Sequence, residues 1–312
     1  MRIKLHWIAF LIPIIFLSCR DQIEKKFIVI QTPSNDELTG ISLWSDKDIF
    51  VVGGDTWTRA LHLSTNDGGA SWKRDSLYDK KIFAISSFNS SEFWTAGIDL
   101  ITRHSLTQYK NYFYPSFRFY KGIEGQNKNT AIAVGGEAFR IGFIDRLNDS
   151  GKIENTLELD HELNAIQKIS DNVYVAAGFG IVLRSEDNGL HWDTLDIDGD
   201  HFKDIASFDK ASIIIGNFGT ILRSTNFGKS YDKIRNASSI FVSDQSFRCI
   251  AMSDEKTMLI AGIGGLAWLS NDCGDSWSEI ENLPDIDFYA AAHFGNKFYL
   301  CGSEGKILVI ED

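Results

Sequence analysis

From Thr39 onward the apolar and polar positions fall into one repeated phrase: a short apolar strand, a second strand closing on glycine, a third strand, and a polar loop that launches a fourth. The closing glycines are Gly53, Gly97, Gly135, Gly178, Gly216, Gly262 and Gly302, spaced 38 to 46 residues apart. A period of about 40 residues with four short strands per unit is what a β-propeller blade requires. The expected fold is therefore all-β, a seven-bladed β-propeller of four-stranded blades over residues 27–312. The seventh unit has only three strands before the chain stops, and Phe27 to Gln31 is a leftover apolar strand at the other end. That N-terminal strand is expected to complete the last blade, closing the ring and removing an open edge.

The most regular unit is Ala176 to Trp192, AAGFGIVLRSEDNGLHW. Its loop, Ser185, Asp187, Gly189 and Trp192, recurs as Thr65, Asp67, Gly69 and Trp72, as Ser270, Asp272, Gly274 and Trp277, and with drift as Ser224, Asn226, Gly228 and Tyr231. Hydroxyl and carboxylate can accept loop N–H groups, the glycine permits a positive φ, and the indole can pack between blades. These loops resemble the Asp-box, or bacterial neuraminidase repeat. The wider phrase GFGIVLRSEDNGLHW is similar to that of the photosystem II assembly and stability factor-like propeller family. The resemblance spans about residues 40–310 and thins in blades two and three, where Ile98 and Asp99 break the glycine turn and Leu147, Asp149 and Gly151 keep half the loop. It implies that the box residues are structural, on the rim away from the binding face, and that the client is a protein.

The first 19 residues, MRIKLHWIAFLIPIIFLSC, change the picture of location. Arg2 and Lys4 precede an apolar run from Trp7 to Leu17 that is too short for a bilayer core of about 30 Å. The Leu17, Ser18, Cys19 ending resembles a bacterial lipoprotein signal, implying cleavage after Ser18 and acylation of Cys19. The expected organisation is a signal over 1–18, a lipidated tether over 19–26 and the propeller over 27–312, held at the bacterial cell envelope facing the periplasm or the exterior. Losing Arg2 and Lys4 takes the net charge from −11 to −13, which argues against nucleic acid as a partner. Cys249, Cys273 and Cys301 fall in different repeats and are expected as free thiols, and the chain is expected to be a monomer.

No nucleophile elbow, CxxC pair or HExxH helix is present. A sialidase would need three arginines gripping a carboxylate beside a tyrosine nucleophile and an acid. Arg184 and Arg223 occupy the same repeat position and read as architecture. A catalytic set is therefore not assigned, nor a cofactor or metal. Asp160, His161 and Glu162 with Asp200 and His201 form a pair of acidic loops for which a metal is the less economical explanation.

Aligning the innermost strands (Leu38-Thr39-Gly40-Ile41 and its copies) places the second position at the channel mouth, because it alternates with the apolar positions around it. The residues so placed are Thr39, Phe83, Arg118, Asn164, Lys203, Arg248 and Tyr289. Of these, Phe83, Arg118, Asn164, Lys203, Arg248 and Tyr289 are the candidate ligand-binding residues, joined by Trp57 and Arg59 on a long turn of the same face. The aromatic run Tyr112 to Tyr120 reads either as a docking surface or as packing in an irregular blade. The expected function is a non-enzymatic, lipid-anchored scaffold that binds a protein client at the channel mouth. The alternative is a glycan-binding or glycan-hydrolysing propeller, told apart by whether three arginines converge in the channel.

Overall fold

A computed structural model describes residues 21–55, 59–74, 79–89, 92–105, 109–113, 117–127, 130–148, 150–197, 201–235 and 246–312. The signal segment, Cys19, Trp57, Asp149 and Asp200 lie outside the described residues. The protein is a seven-bladed β-propeller: six four-stranded sheets and one five-stranded sheet. Each blade starts at the channel and works outward, as in Glu37–Leu43, Ile49–Asp55, Arg59–Thr65 and Lys73–Arg74 of blade one. Two short 3-10 turns, Asn217–Gly219 and Ser303–Gly305, are the only helical elements among the described residues.

The ring closes as the leftover strand predicts. Phe27–Gln31 pairs antiparallel with Lys306–Glu311 to complete blade seven. The segment before it is more than a tether from Asp21 on. Gln22–Ile23 pairs parallel with Ser278–Ile280 as a fifth strand of blade six, flanked by Glu279 N–H to Asp21 O at 3.0 Å and Glu281 N–H to Ile23 O at 3.0 Å.

The core lies between blades rather than at the centre. Apolar clusters fill the successive interfaces, such as Ile132, Val134 and Ile144 of blade three against Leu163, Tyr174 and Leu183 of blade four. The interface between blades one and two is the exception, with an apolar cluster of only Val52, Ala60 and Ile82, packed by Ile85. Beside it stand the rings of His62, Phe93 and His104, where Phe93 stacks on His104 at 4.4 Å.

The four SxDxGxxW-type loops share their hydroxyl and carboxamide or carboxylate hydrogen bonds, and the three that end in tryptophan add an indole bond that Tyr231 replaces with one to Ser212 Oγ. Gly189 N–H donates to Ser185 Oγ at 2.9 Å, His191 N–H to Asp187 Oδ1 at 2.9 Å, and Trp192 Nε1 to Gly189 O at 3.2 Å. Asp67 and Asp272 repeat this with Ser71 and Ser276, each N–H donating at 2.9 Å. Asn226 keeps the pattern with Ser230 N–H at 3.1 Å, and its amide donates to Ser230 Oγ where an aspartate would accept. Every loop leans on the preceding blade: Trp192 packs on the cluster between blades three and four, Trp277 between five and six, Tyr231 between four and five, and Trp72 between seven and one.

Candidate functional site

All seven innermost strands carry a register shift at the same place. The shifts fall between Leu38 and Gly40, Ile82 and Ala84, Tyr120 and Gly122, Leu163 and Ala165, Phe202 and Asp204, Phe247 and Cys249, and Phe288 and Ala290. The skipped residues are Thr39, Phe83, Lys121, Asn164, Lys203, Arg248 and Tyr289. A β-bulge leaves one residue out of the ladder and re-aims its side chain. Here the bulge, repeated sevenfold, points one side chain per blade into a central cavity of about 640 Å³.

The repeated glycines are the other half of this device. The residue ahead of each bulge pairs with the closing glycine of the second strand, as Leu163 does with Gly178. A Cβ at Gly178 would stand 1.9 Å from Glu162 O, and one at Gly53 1.9 Å from Glu37 O. The close approach of backbone at the bulge leaves no room for a side chain.

Five of the eight candidate residues line the cavity: Phe83, Asn164, Lys203, Arg248 and Tyr289. Arg118 does not, and Lys121 takes its place. The innermost strand of blade three begins at Tyr120, so Tyr120-Lys121-Gly122-Ile123 is the copy of Leu38-Thr39-Gly40-Ile41. Gly40 and Gly122 sit where a Cβ would press on Val52 or Val134 of the neighbouring strand, which is why the third position is small. Arg118 instead stacks on the Phe143 ring at 4.3 Å and pairs with buried Asp145 at 3.2 Å and Glu158 at 2.8 Å. Tyr120 OH and Thr156 Oγ1 also donate to Asp145, at 2.9 and 2.8 Å. Arg59 stands on the mouth face, where it pairs with Asp36 at 2.5 Å and Asp55 at 3.4 Å. Trp57 is beyond the described residues.

The ring of mouth residues is partly spent on the fold. Thr39 Oγ1 donates to Ile82 O at 2.6 Å and Asn164 Nδ2 to Phe202 O at 2.8 Å, each stitching two adjacent blades. Lys81 pairs with Glu37, and Lys121 with Glu162. Burial works to raise the Glu162 carboxyl, but Lys121 and the Phe139 N–H outweigh it and hold it below the usual range. His201 is pushed down to about 4 by burial and by Lys203, whose ammonium lies 3.0 Å from His201 Nε2, so it is neutral at neutral pH. Tyr289 is pushed up to about 12 by burial and by Glu37. Arg248 differs from these: its Nε is buried and has no hydrogen-bond partner among the described residues. Deeper in the channel, burial raises the Glu124 and Asp204 carboxyls to about 7, while Ile205 and Ile250 N–H groups donate to Asp204 at 2.9 and 3.0 Å.

Around the mouth, the turns between second and third strands carry exposed phenylalanines: Phe139 in blade three, Phe179 in blade four and Phe218 in blade five, each at least two-fifths exposed. Phe139 and Phe179 lie 5.0 Å apart, and both meet the His201 ring edge-on at 5.3 and 5.5 Å. Phe139 and Phe218 hold positive φ angles of 65° and 55°, conformations that non-glycine residues adopt at a cost. This crescent escapes sequence reasoning because a lone phenylalanine in a turn carries no periodicity.

His161 Nδ1 lies 2.9 Å from Phe179 O and Glu162 is bound to Lys121, and among the described residues no group of three metal-ligating side chains comes together. Of the aromatic run, Tyr112 and Tyr120 are buried in the interface between blades two and three, while Phe117 is 79 % exposed. Arg248 is the one arginine among the described residues that line the cavity. Arg184 and Arg223 reach the next loops instead, at Phe227 O and Cys273 O, so three arginines do not converge in the channel.

No family model and no curated protein matches this sequence. Solved structures do share the fold. YCF48 bound to D1 peptide is 18 % identical with a TM-score of 0.69, covering 94 % of this chain and 99 % of that one. YCF48 from Cyanidioschyzon merolae is 16 % identical with a TM-score of 0.67, covering 91 % and 98 %. Virginiamycin B lyase from Staphylococcus aureus is 15 % identical with a TM-score of 0.73, covering 93 % and 100 %. At these identities the likeness extends to the propeller fold.

Proposed function

We propose that this chain is a lipid-anchored, non-enzymatic scaffold of the bacterial cell envelope that binds a protein client across its channel-mouth face. The observation that carries the reading is the sevenfold bulge, which aims a ring of side chains at one opening while leaving the Arg248 Nε without a hydrogen-bond partner among the described residues. Arg248 lines the cavity, where a carboxylate or carbonyl from a client can pair with its guanidinium. The Phe139, Phe179 and Phe218 crescent supplies apolar anchors on the same face. A similar propeller, YCF48, has been solved with a D1 peptide bound, which supports a peptide-like client for this architecture. The anchorage is supported by the Leu17, Ser18, Cys19 ending and the short apolar run before it. Among the described residues Arg248 is the one arginine lining the cavity, which does not favour the glycan-hydrolysing alternative.

The test is quantitative affinity capture from detergent-solubilised membranes of the native host, comparing the acylated protein with Arg248→Glu/Phe218→Asp. Both substituted side chains are at the mouth, and aspartate tolerates the left-handed backbone of position 218. A client held by the wild type and lost from the double variant, with an unchanged melting transition, supports the reading. Equal recovery of that client by both proteins overturns it.

A further inference from the structure

The outer edge of blade seven exposes three consecutive apolar residues, Phe27 at 36 %, Ile28 at 64 % and Val29 at 41 %. They belong to the strand Phe27–Gln31, which has a partner on one side only. Strand alternation sends Phe27 and Val29 to one face of the sheet and Ile28 to the other. Their cross-strand partners agree: Leu308 and Ile310 belong to the cluster shared with blade six, and Val309 to the cluster shared with blade one. A surface that covers all three must therefore meet the strand edge-on, against the outer wall of the ring.

The chain leading to this edge says what that surface is. Asp21 is already docked, through its carbonyl, on Glu279 of blade six, and the strand Gln22–Ile23 follows at once. Cys19 stands two residues before Asp21, and two residues of extended chain span at most about 7 Å. An acyl chain on Cys19 leaves little slack: the edge of blade six at Asp21 is held close to the bilayer, and the apolar edge of blade seven that follows in the chain is the surface beside it that can meet lipid.

We infer that the outer wall of blades six and seven, centred on Phe27, Ile28 and Val29, is a membrane-contact surface that seats the propeller on its side. The inference rests on the lipid anchorage proposed above and adds an orientation to it. The unpaired N–H and C=O groups of the edge strand keep the contact at headgroup depth, where water still satisfies them, rather than in hydrocarbon. Lys25 and Lys26 are outnumbered on this rim by Glu24, Glu279, Glu281 and Glu311, so apolar contact rather than attraction to anionic lipid holds it. The channel axis then runs along the membrane, and the mouth face opens sideways to partners that lie in or on the same bilayer.

The test is photo-cross-linking from the acylated protein in vesicles of phosphatidylethanolamine with and without phosphatidylglycerol. One protein carries p-benzoyl-phenylalanine in place of Ile28, a second in place of Phe218 at the mouth. Lipid adducts several-fold more abundant from position 28 than from 218, and insensitive to phosphatidylglycerol, are the expected result. Equal yields, no lipid adduct from position 28, or adducts there to a second protein chain overturn the orientation. Mass spectrometry of the N-terminal peptide separates the two levels. An acylated Cys19 with no adduct at 28 defeats the orientation alone, whereas an unacylated Cys19 defeats the anchorage and the orientation with it.

Discussion

The two ends of each blade treat their polar groups in opposite ways. At the loop end, side chains satisfy one another: in blade one, Thr65, Ser71 and the loop N–H groups hold Asp67 down to about 2 even though it is exposed. At the mouth end, the repeat produces a bulge that leaves one residue per blade out of the ladder. Some of those residues return to the fold, as Thr39 and Asn164 do, and Arg248 Nε does not. The same forty-residue phrase thus builds loops that satisfy their own polar groups and a mouth where, among the described residues, the Arg248 Nε is left over. At the mouth, a partner meets bonding capacity that the SxDxGxxW-type loops have already used among themselves.

The contrast is sharpest under substitution at the loop end, where the largest losses of stability are expected. Trp192→Ala empties an indole from the interface between blades three and four and is expected to cost about 2–3 kcal/mol, allowing for its partial exposure. Ser185→Ala keeps the packing but strips the acceptor from the buried Gly189 N–H, for about 1–2 kcal/mol. Urea midpoints at constant slope would measure both. A tryptophan variant as stable as the wild type would mean that the loops decorate the ring rather than hold it.

Between the two ends, the channel buries charge, and pH exposes that. Asp204 is raised from 3.8 to about 7, chiefly by burial. The folded protein therefore keeps a proton that the unfolded chain releases, and stability declines as pH rises from about 4 to 7 and levels above it. Asp204→Asn removes part of that decline, keeping one carbonyl acceptor for the Ile205 or Ile250 N–H. Glu124, raised for the same reason, retains the rest. Melting temperatures of the two proteins should differ least near pH 4 and shift in favour of the variant toward about pH 8. Parallel profiles would show that Asp204 is ionised and solvated in the folded channel.

How much of this could be read from the chain depends on the physics behind each signal. Blade number and ring closure were legible because strand alternation and the glycine period are local and repeated, and the loops announced themselves by four copies in register. The glycines were legible as markers but not as causes. They mark close backbone approach at a bulge, and a bulge has no residue signature of its own. Blade three shows the consequence. Phe117-Arg118 mimics the apolar-then-variable start of an inner strand, whereas the small residue demanded at the third position picks out Tyr120-Lys121-Gly122. One long-range pairing left no trace: the fifth strand of blade six depends on a two-residue match between Gln22–Ile23 and Glu279–Ile280. The ring stack of Phe93 and His104 is a cross-strand pair of the second and third strands of blade two, set by a register that neither residue announces on its own.

The smallest expected effect is the most decisive for the comparison of the two ends. Arg248 extends from a bulge into an open cavity, and its Nε makes no hydrogen bond among the described residues that a substitution would break. Arg248→Gln keeps the aliphatic stem and a polar head, so no cavity forms and no partner is orphaned. Stability should then stay within about 0.5 kcal/mol of the wild type. A residue that served the fold would behave like Ser185, with its loss visible in the urea midpoint. If Arg248→Gln destabilises the protein as much as Ser185→Ala, the guanidinium is part of the ring's own bonding and the mouth end is as self-sufficient as the loop end. If stability is unchanged, the guanidinium stands ready in the folded protein for a carboxylate or carbonyl that the chain itself does not supply.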